Sequence, residues 1–417
     1  MTSLESKFIS TSHRRLLRIF VAGMLCLHLL FFVTLRQRIQ RGYPDFTIFY
    51  SAATIVKDGL SGRMYDADTQ YQVQERFAGN IDSRRGPLPY NHPPFETLLF
   101  LPLTWLSYRY AFLVWDLLNV VALFGVSLIL RHHLKALRAV PPWEFVLCSL
   151  AFFPVFATFL QGQDSILLLL LFALGFNALK IGADFRAGCW FALGTFKFQL
   201  VLPLVLLLFL WRRKRVAMGF VLVSGILALV SALMVGWHEM VSYPAYVLRI
   251  AGAASLGGVP PALMPNLRGL VEGWSYNFAP TVGMSAVTVG LSILFFITAW
   301  FPGARHQGEP DLHFSLATIV TVLVGWHTNA HDLSLLILPL TLVADYCLSL
   351  PGMTSRRFFA LIAPVLPILI SPLWIVLWLG AGKVNLMAIA LAWWAWEIVK
   401  EISRATPQQT ELRSLPT

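Results

Sequence analysis

Charge is what this sequence has least of. Asp, Glu, Lys and Arg make up 13% of its 417 residues, against about 25% in an ordinary soluble domain. With 57% hydrophobic residues, that scarcity excludes a soluble globule. Uncharged apolar runs such as 166–179 and 216–235 recur along the chain, and a bilayer span needs roughly 20 mostly apolar residues. Cysteine is also scarce. Cys26, Cys148, Cys189 and Cys347 lie inside apolar segments at unrelated spacings; this excludes a disulfide framework or cysteine metal site and predicts small buried side chains. No Asn-x-Ser/Thr glycosylation acceptor occurs. No internal repeat is visible, which weighs against a transporter built from duplicated halves.

What charge there is leans positive, at +11. Its placement excludes nucleic acid as a partner. The runs Trp211–Arg215, Arg131–Arg138 and Arg356-Arg357 each sit at the end of an apolar stretch, where Lys and Arg mark the cytoplasmic side of a membrane. The pattern predicts an all-α polytopic membrane protein of about twelve segments with both termini cytoplasmic. The expected segments are 16–35, 109–130, 143–160, 165–180, 187–197, 199–211, 216–236, 283–301, 312–328, 333–350, 358–378 and 384–399. The first reads as an uncleaved span, because Arg36-Gln37-Arg38 follows it with no small-residue cleavage site. Residues 1–400 then form one integral-membrane domain and 401–417 a cytoplasmic tail. The longest non-spanning stretch, about 36–108, faces outward. Within it Pro94–Leu106 is too short to span and suits an interfacial helix. Trp115, Trp211, Trp237, Trp274 and Trp326 fall near segment ends, as an interfacial aromatic belt requires.

Polar groups at membrane depth are costly and mark function. Five clusters stand out, and this topology puts all five on the outer side. In Tyr43-Pro44-Asp45-Phe46, Asp45 suits a base that takes a proton from an attacking hydroxyl; Asp equally favours a helix N-cap. Next come Tyr65-Asp66 and Tyr90-Asn91-His92-Pro93-Pro94-Phe95-Glu96. The double proline fixes a helix entry; His92 and Glu96, one turn apart, suit a polar substrate, and a solvated helix start is the favoured reading of Glu96. In Gln161-Gly162-Gln163-Asp164, amide and carboxylate suit sugar hydroxyls, although a plain turn accounts for the same residues. Lys197 stands between two short apolar segments, where a cation suits phosphate and a snorkelling lysine is the alternative. His327-Thr328-Asn329-Ala330-His331-Asp332 places two histidines four apart. On a helix they would share a face and could chelate a metal; a protonatable pair beside a phosphate, or a short polar turn, fits equally. Asn266-Leu267-Arg268-Gly269 adds one more cation.

Taken in order, these motifs resemble the polyprenyl-phosphate-mannose-dependent mannosyltransferases of glycosyltransferase family 87. The resemblance is carried by Asp45-Phe46, Tyr50-Ser51-Ala52-Ala53, Gly59, Tyr65-Asp66, Tyr90-x-x-Pro93-Pro94, Gly162-Gln163, Lys197, Asn266-x-Arg268-Gly269 and His327–Asp332, over roughly residues 40–345. It implies a GT-C type fold in which a loop after the first span holds the catalytic carboxylate and interfacial helices roof a cavity. The donor it implies is a sugar on a polyprenyl phosphate. The sequence has no glycine-rich phosphate loop after a strand, and no cofactor is called for.

On that resemblance Asp45 is the general base of an inverting displacement. Lys197, Arg268, His327 and His331 are the candidates for the donor phosphate. Tyr65, Asp66, Tyr90, His92, Gln163, Asn266 and Asp332 are the candidates for the substrates. Because phosphate leaves readily, the site is expected to work without a metal. The expected partners are the lipid-linked donor, a glycolipid or glycan acceptor and membrane lipid. An arabinofuranose donor is the near alternative, and a lipid-linked-sugar transporter or flippase the competing class. A transporter needs polar residues at mid-depth in several spans; here the ionisable groups crowd one side, Asp116 and Glu239 excepted.

Overall fold

In lipid every backbone N–H and C=O must be satisfied within the protein, and a chain this apolar meets that demand with helices. The computed structural model describes residues 11–42, 44–79, 86–252, 260–273, 281–305, 310–374 and 385–414, and has helices but no strand among them. Tyr43, Trp274 and the link 375–384 between the last two expected segments lie outside the described residues. In chain order the principal helices are α1 (Thr11–Gln40), α2 (Phe46–Lys57), α3 (Ala67–Glu75), α4 (Tyr108–His133), α5 (Pro142–Leu150), α6 (Phe153–Gln161), α7 (Ser165–Lys180) and α8 (Asp184–Leu193). There follow α9 (Phe198–Leu210), α10 (Lys214–Val235), α11 (Trp237–Gly252), α12 (Leu267–Glu272), α13 (Val282–Arg305), α14 (Pro310–Val324), α15 (Ile337–Ser349), α16 (Ser355–Ile362) and α17 (Met387–Ser414).

Five helices among the described residues are long and apolar enough to cross a membrane, or up to seven if each of two bent pairs is one span. That is the pattern of a multi-pass membrane protein. Counting runs treats each as a crossing, whereas the structure breaks or shortens several. The stretch 143–160 is split into α5 and α6 at an angle of 79°, and Pro154, which cannot donate to the preceding turn, lies at the start of α6. The stretches 187–197 and 199–211 form one element, bent by 65° around Thr195–Lys197. The 16-residue α7 reaches about 24 Å at 1.5 Å per residue, short of a ~30 Å hydrocarbon core. It is instead among the most buried helices, packed against α4 and α8. At the other end of the chain, α17 runs across position 401 without a break.

Close helix contact depends on small residues where lipid gives no hydrophobic drive. A Cβ on Gly188 of α8 would lie 2.0 Å from the Val216 carbonyl oxygen, and one on Gly219 of α10 would lie 2.1 Å from that of Phe185. The two glycines let these backbones touch. A second core, aromatic, seats α2 on the start of α4. Phe49 stacks on Phe100 with centroids 4.7 Å apart, and Phe46 meets Phe112 edge-on at 5.4 Å. The stretch 94–106 is helical but irregular, with 3-10 turns on either side of Thr97–Phe100. It packs on α2 and exposes Leu98, Leu99 and Trp105.

Two sequence expectations are corrected here. Cys347 is buried, but Cys26 and Cys148 are exposed on the helix surface; apolar context does not distinguish a lipid-facing side from a packed one. Trp115 is buried rather than part of a belt, and its indole nitrogen donates to the Gln163 carbonyl at 3.3 Å.

Candidate active site

Three breaks in helix geometry build the site. The first ends α6. Gly162 adopts φ 61° and closes the helix, with the Gln163 amide donating to the Thr158 carbonyl at 2.9 Å. A Cβ at Gly162 would come within 2.7 Å of Phe46 and 2.8 Å of Phe112, so the turn needs glycine for both backbone and space. Because α7 starts at once, Gln163 comes to lie against Asp45 at the start of α2, and Asp164 and Ser165 against Lys197. The second break is the bend between α8 and α9, which turns Lys197 inward, where it is 3% exposed. The third follows α14, which stops at Val324. The chain re-enters through the 3-10 turn Ala330–Leu336, whose Asn329 and Asp332 form a capping box.

Together these breaks surround a cavity of about 280 Å³ lined by Asp45, His92, Gln163, Lys197, His327, His331 and Asp332, with Trp326 and the α11 residues Val247, Leu248 and Ile250 on its apolar wall. Asp45 answers one question that spacing leaves open. It occupies the N-cap position of α2, yet its carboxylate caps no backbone amide. Instead Oδ2 accepts a 2.8 Å hydrogen bond from Gln163 Nε2, while the Asp45 amide donates to Gln161 Oε1 at 3.3 Å. The backbone is held and the carboxylate faces the cavity.

Lys197 is the hub of the opposite wall. Its Nζ lies 2.8 Å from Asp164 Oδ1 and 2.5 Å from Asp332 Oδ1, and donates to Ser165 Oγ at 2.7 Å and to Gln163 Oε1 at 3.5 Å. Ser165 Oγ also donates to Asp332 Oδ1 at 2.9 Å, and Asp332 Oδ2 accepts the Asn329 amide at 2.8 Å. The lysine charge is therefore met by two buried carboxylates before any ligand arrives. Behind this layer, His92 Nδ1 lies 2.9 Å from Glu96 Oε2 and 3.7 Å from Asp164 Oδ2. Burial pulls the His92 imidazole down, but the Glu96 and Asp164 carboxylates outweigh it and raise its pKa above 6.5. Burial, helped by the nearby Asp164 carboxylate, pushes Glu96 up to about 8. Glu96 is completely buried, which corrects its reading as a solvated helix start: Pro93-Pro94 turns the helix entry inward, under His92.

The other sequence candidates lie elsewhere. Asp66 caps α3, accepting from the Thr69 amide at 3.3 Å and hydroxyl at 2.6 Å, and pairs with Arg63 at 2.8 Å. Asn266 caps α12 and donates to the Gly325 carbonyl at 2.5 Å. Tyr65 donates to the His92 carbonyl at 2.9 Å and Tyr90 to that of Pro93 at 3.0 Å. All four fasten the frame and none lines the cavity. Arg268 bonds Glu272 at 2.8 Å, lies 4.6 Å over the Trp326 ring and donates to the Trp326 carbonyl at 3.4 Å, so it stands behind that cavity residue. His327 and His331 share no helix face, because one lies in a bend and the other in the 3-10 turn. Burial holds the His327 imidazole down to about 4. Sequence reasoning missed Glu96 as a buried neighbour of the cavity and missed the α11 wall, whose signal was a proline-containing apolar face between two expected spans.

The fold and the cavity define a multi-pass membrane protein with a buried, carboxylate-rich site at one end of its helices. The glycosyltransferase family 87 profile matches residues 90–339, and the chain belongs to that family: it is a glycosyltransferase. No curated protein matches it. The matched stretch holds Lys197, Asp332 and Gln163, while Asp45 precedes it.

Proposed function

We propose that the protein transfers mannose from a polyprenyl phosphate to a hydroxyl of an extracytoplasmic glycolipid or glycan, within a GT-C type fold, with Asp45 as general base. The observation that carries this reading is the Asp45 carboxylate, which stands at a helix start, caps nothing, and is aimed into the cavity by Gln163. The acceptor oxygen attacks the anomeric carbon as its proton passes to Asp45. The bond from that carbon to the phosphate oxygen breaks on the opposite face, and its electron pair leaves with the phosphate, so configuration inverts. His331 and Lys197 line the cavity where that charge develops. A volume of about 280 Å³ lies near the lower end of small-molecule sites, ~300–1,000 Å³, which suits one sugar with the lipid chain outside.

Sidedness has support from α4. Its first turns carry Tyr108, Phe112 and Trp115 beside the site, and its last turn carries Arg131, His132 and His133. The site then faces the exterior and the basic end the cytoplasm, with both termini on the cytoplasmic side. The test is transfer by the purified protein from synthetic polyprenyl-phosphate-mannose to membrane acceptors, with the anomeric configuration of the product determined. Inverted mannoside is expected. A retained product overturns the mechanism, and transfer from the arabinose donor alone overturns the choice of sugar.

A further inference from the structure

The polar layer behind the cavity carries more negative groups than its neighbours match. Asp164 and Asp332 share one lysine, Glu96 lies beside His92, and all three carboxylates are almost wholly buried. Burying charge without a counter-charge is costly. Lys197 is shared between Asp332 at 2.5 Å and Asp164 at 2.8 Å, and Glu96 has the His92 imidazole beside it at 2.9 Å.

His92, Glu96 and Asp164 stand in short contact with one another in a buried layer. His92 Nδ1, Glu96 Oε1 and Asp164 Oδ2 are buried and lack a well-aligned hydrogen bond, with His92 Nδ1 2.9 Å from Glu96 Oε2. Asp164 Oδ1 is met by Lys197 at 2.8 Å. One ligand atom from each of the three lies within 4.8 Å of the others. Two ligands bound at ~2.0–2.2 Å to one tetrahedral ion stand about 3.4 Å apart, and the separations of 2.9 and 3.7 Å from His92 Nδ1 bracket that value.

We infer that His92, Glu96 and Asp164 hold one divalent transition ion, zinc or manganese, at the edge of the cavity. One imidazole with two carboxylates is the donor set these ions accept. Lys197 occupies Asp164 Oδ1, and the ion takes Oδ2. The ligands are set in place by surrounding groups: Pro93 and Pro94 fix the backbone beside His92, Tyr65 holds the His92 carbonyl, and Tyr90 Oη reaches Glu96 Oε2 at 3.3 Å. His92 lines the cavity while Glu96 and Asp164 close the far side, so an open coordination position faces the substrate space. This departs from the metal-free site expected from sequence. It depends neither on mannose as the sugar nor on Asp45 as the base, and ion binding and sugar transfer are read separately.

The test uses the full-length protein in detergent, stripped with chelator and titrated with zinc or manganese chloride alone; bound ion is counted after desalting, with the melting temperature as second readout. One ion per chain and a raised melting temperature are expected. Glu96→Gln and His92→Asn each lower affinity by about tenfold to a hundredfold, the range that even changes next to a ligand produce, while Asp68→Asn, exposed on α3, leaves it unchanged. Wild-type protein that retains neither ion overturns the inference, and this count decides the matter even if the variants fail to fold. Retention equal in wild type and Glu96→Gln overturns the assignment of the ligands.

Discussion

Gln163 Nε2 donates to Asp45 Oδ2 across 2.8 Å, joining residues 118 apart in the chain. The other end of the same amide accepts from Lys197 at 3.5 Å, so a cation fixes which end of Gln163 faces the carboxylate. Gln163→Leu removes this guide without touching a reacting atom. Misplacing a catalytic group by about 1 Å can reduce rate ~10²-fold. The variant is expected to fold, to keep its donor KM, and to lose about tenfold to a hundredfold in kcat. A rise in donor KM with kcat unchanged would make Gln163 a substrate ligand instead.

Lys197 sits between Asp164 and Asp332 with almost no exposure. Removing one member of a buried ion pair leaves an uncompensated charge and costs about 3–5 kcal/mol. Lys197→Met is therefore expected to lower the melting temperature sharply. Lys197→Met combined with Asp332→Asn recovers part of that loss, because one stranded carboxylate is gone. Thermal unfolding of the two singles and the double checks this, and additive losses would show that the pair is not coupled.

Burial holds the His327 imidazole at about 4, against 6.5 for an ordinary histidine; the Asp332 carboxylate only partly offsets the burial. Between those values the unfolded chain binds more protons at His327 than the folded one, so this residue makes stability fall as pH drops from 6.5 toward 4. His327→Gln removes that contribution. Its melting temperature is expected to fall less than that of wild type over the same window, and parallel curves would contradict the assignment.

Residue chemistry, not helix counting, is where the sequence spoke most clearly. Asp45, Gln163, Lys197, His331 and Asp332 stand out because a polar group in an apolar context needs a reason, and the fold gathers them at one cavity. Asp66 and Asn266 looked the same in sequence, since a capping residue and a ligand share the same chemistry. Only the partner, the Thr69 amide or the Gly269 amide, separates them. Glu96 looks like a solvated helix start in the sequence because its burial depends on how Pro93-Pro94 turns the chain against Tyr90 and His92. The breaks within apolar runs were unreadable for a related reason. Hydropathy marks 199–211 as membrane material, but the 65° bend before it, where Lys197 enters the interior, follows from Asp164 and Asp332 waiting there.

The central claim is that Asp45 accepts the acceptor's proton. Asp45→Asn keeps size and shape; its backbone N–H can still donate to Gln161 and its side-chain oxygen still accept from Gln163, so the fold is expected to melt where wild type does. Rates of transfer from polyprenyl-phosphate-mannose by wild type and by this variant, compared at equal folded concentration, test the claim most directly. The account predicts a loss of at least about 10² in kcat, the scale of general-base catalysis. A folded Asp45→Asn protein that transfers sugar at the wild-type rate would contradict it.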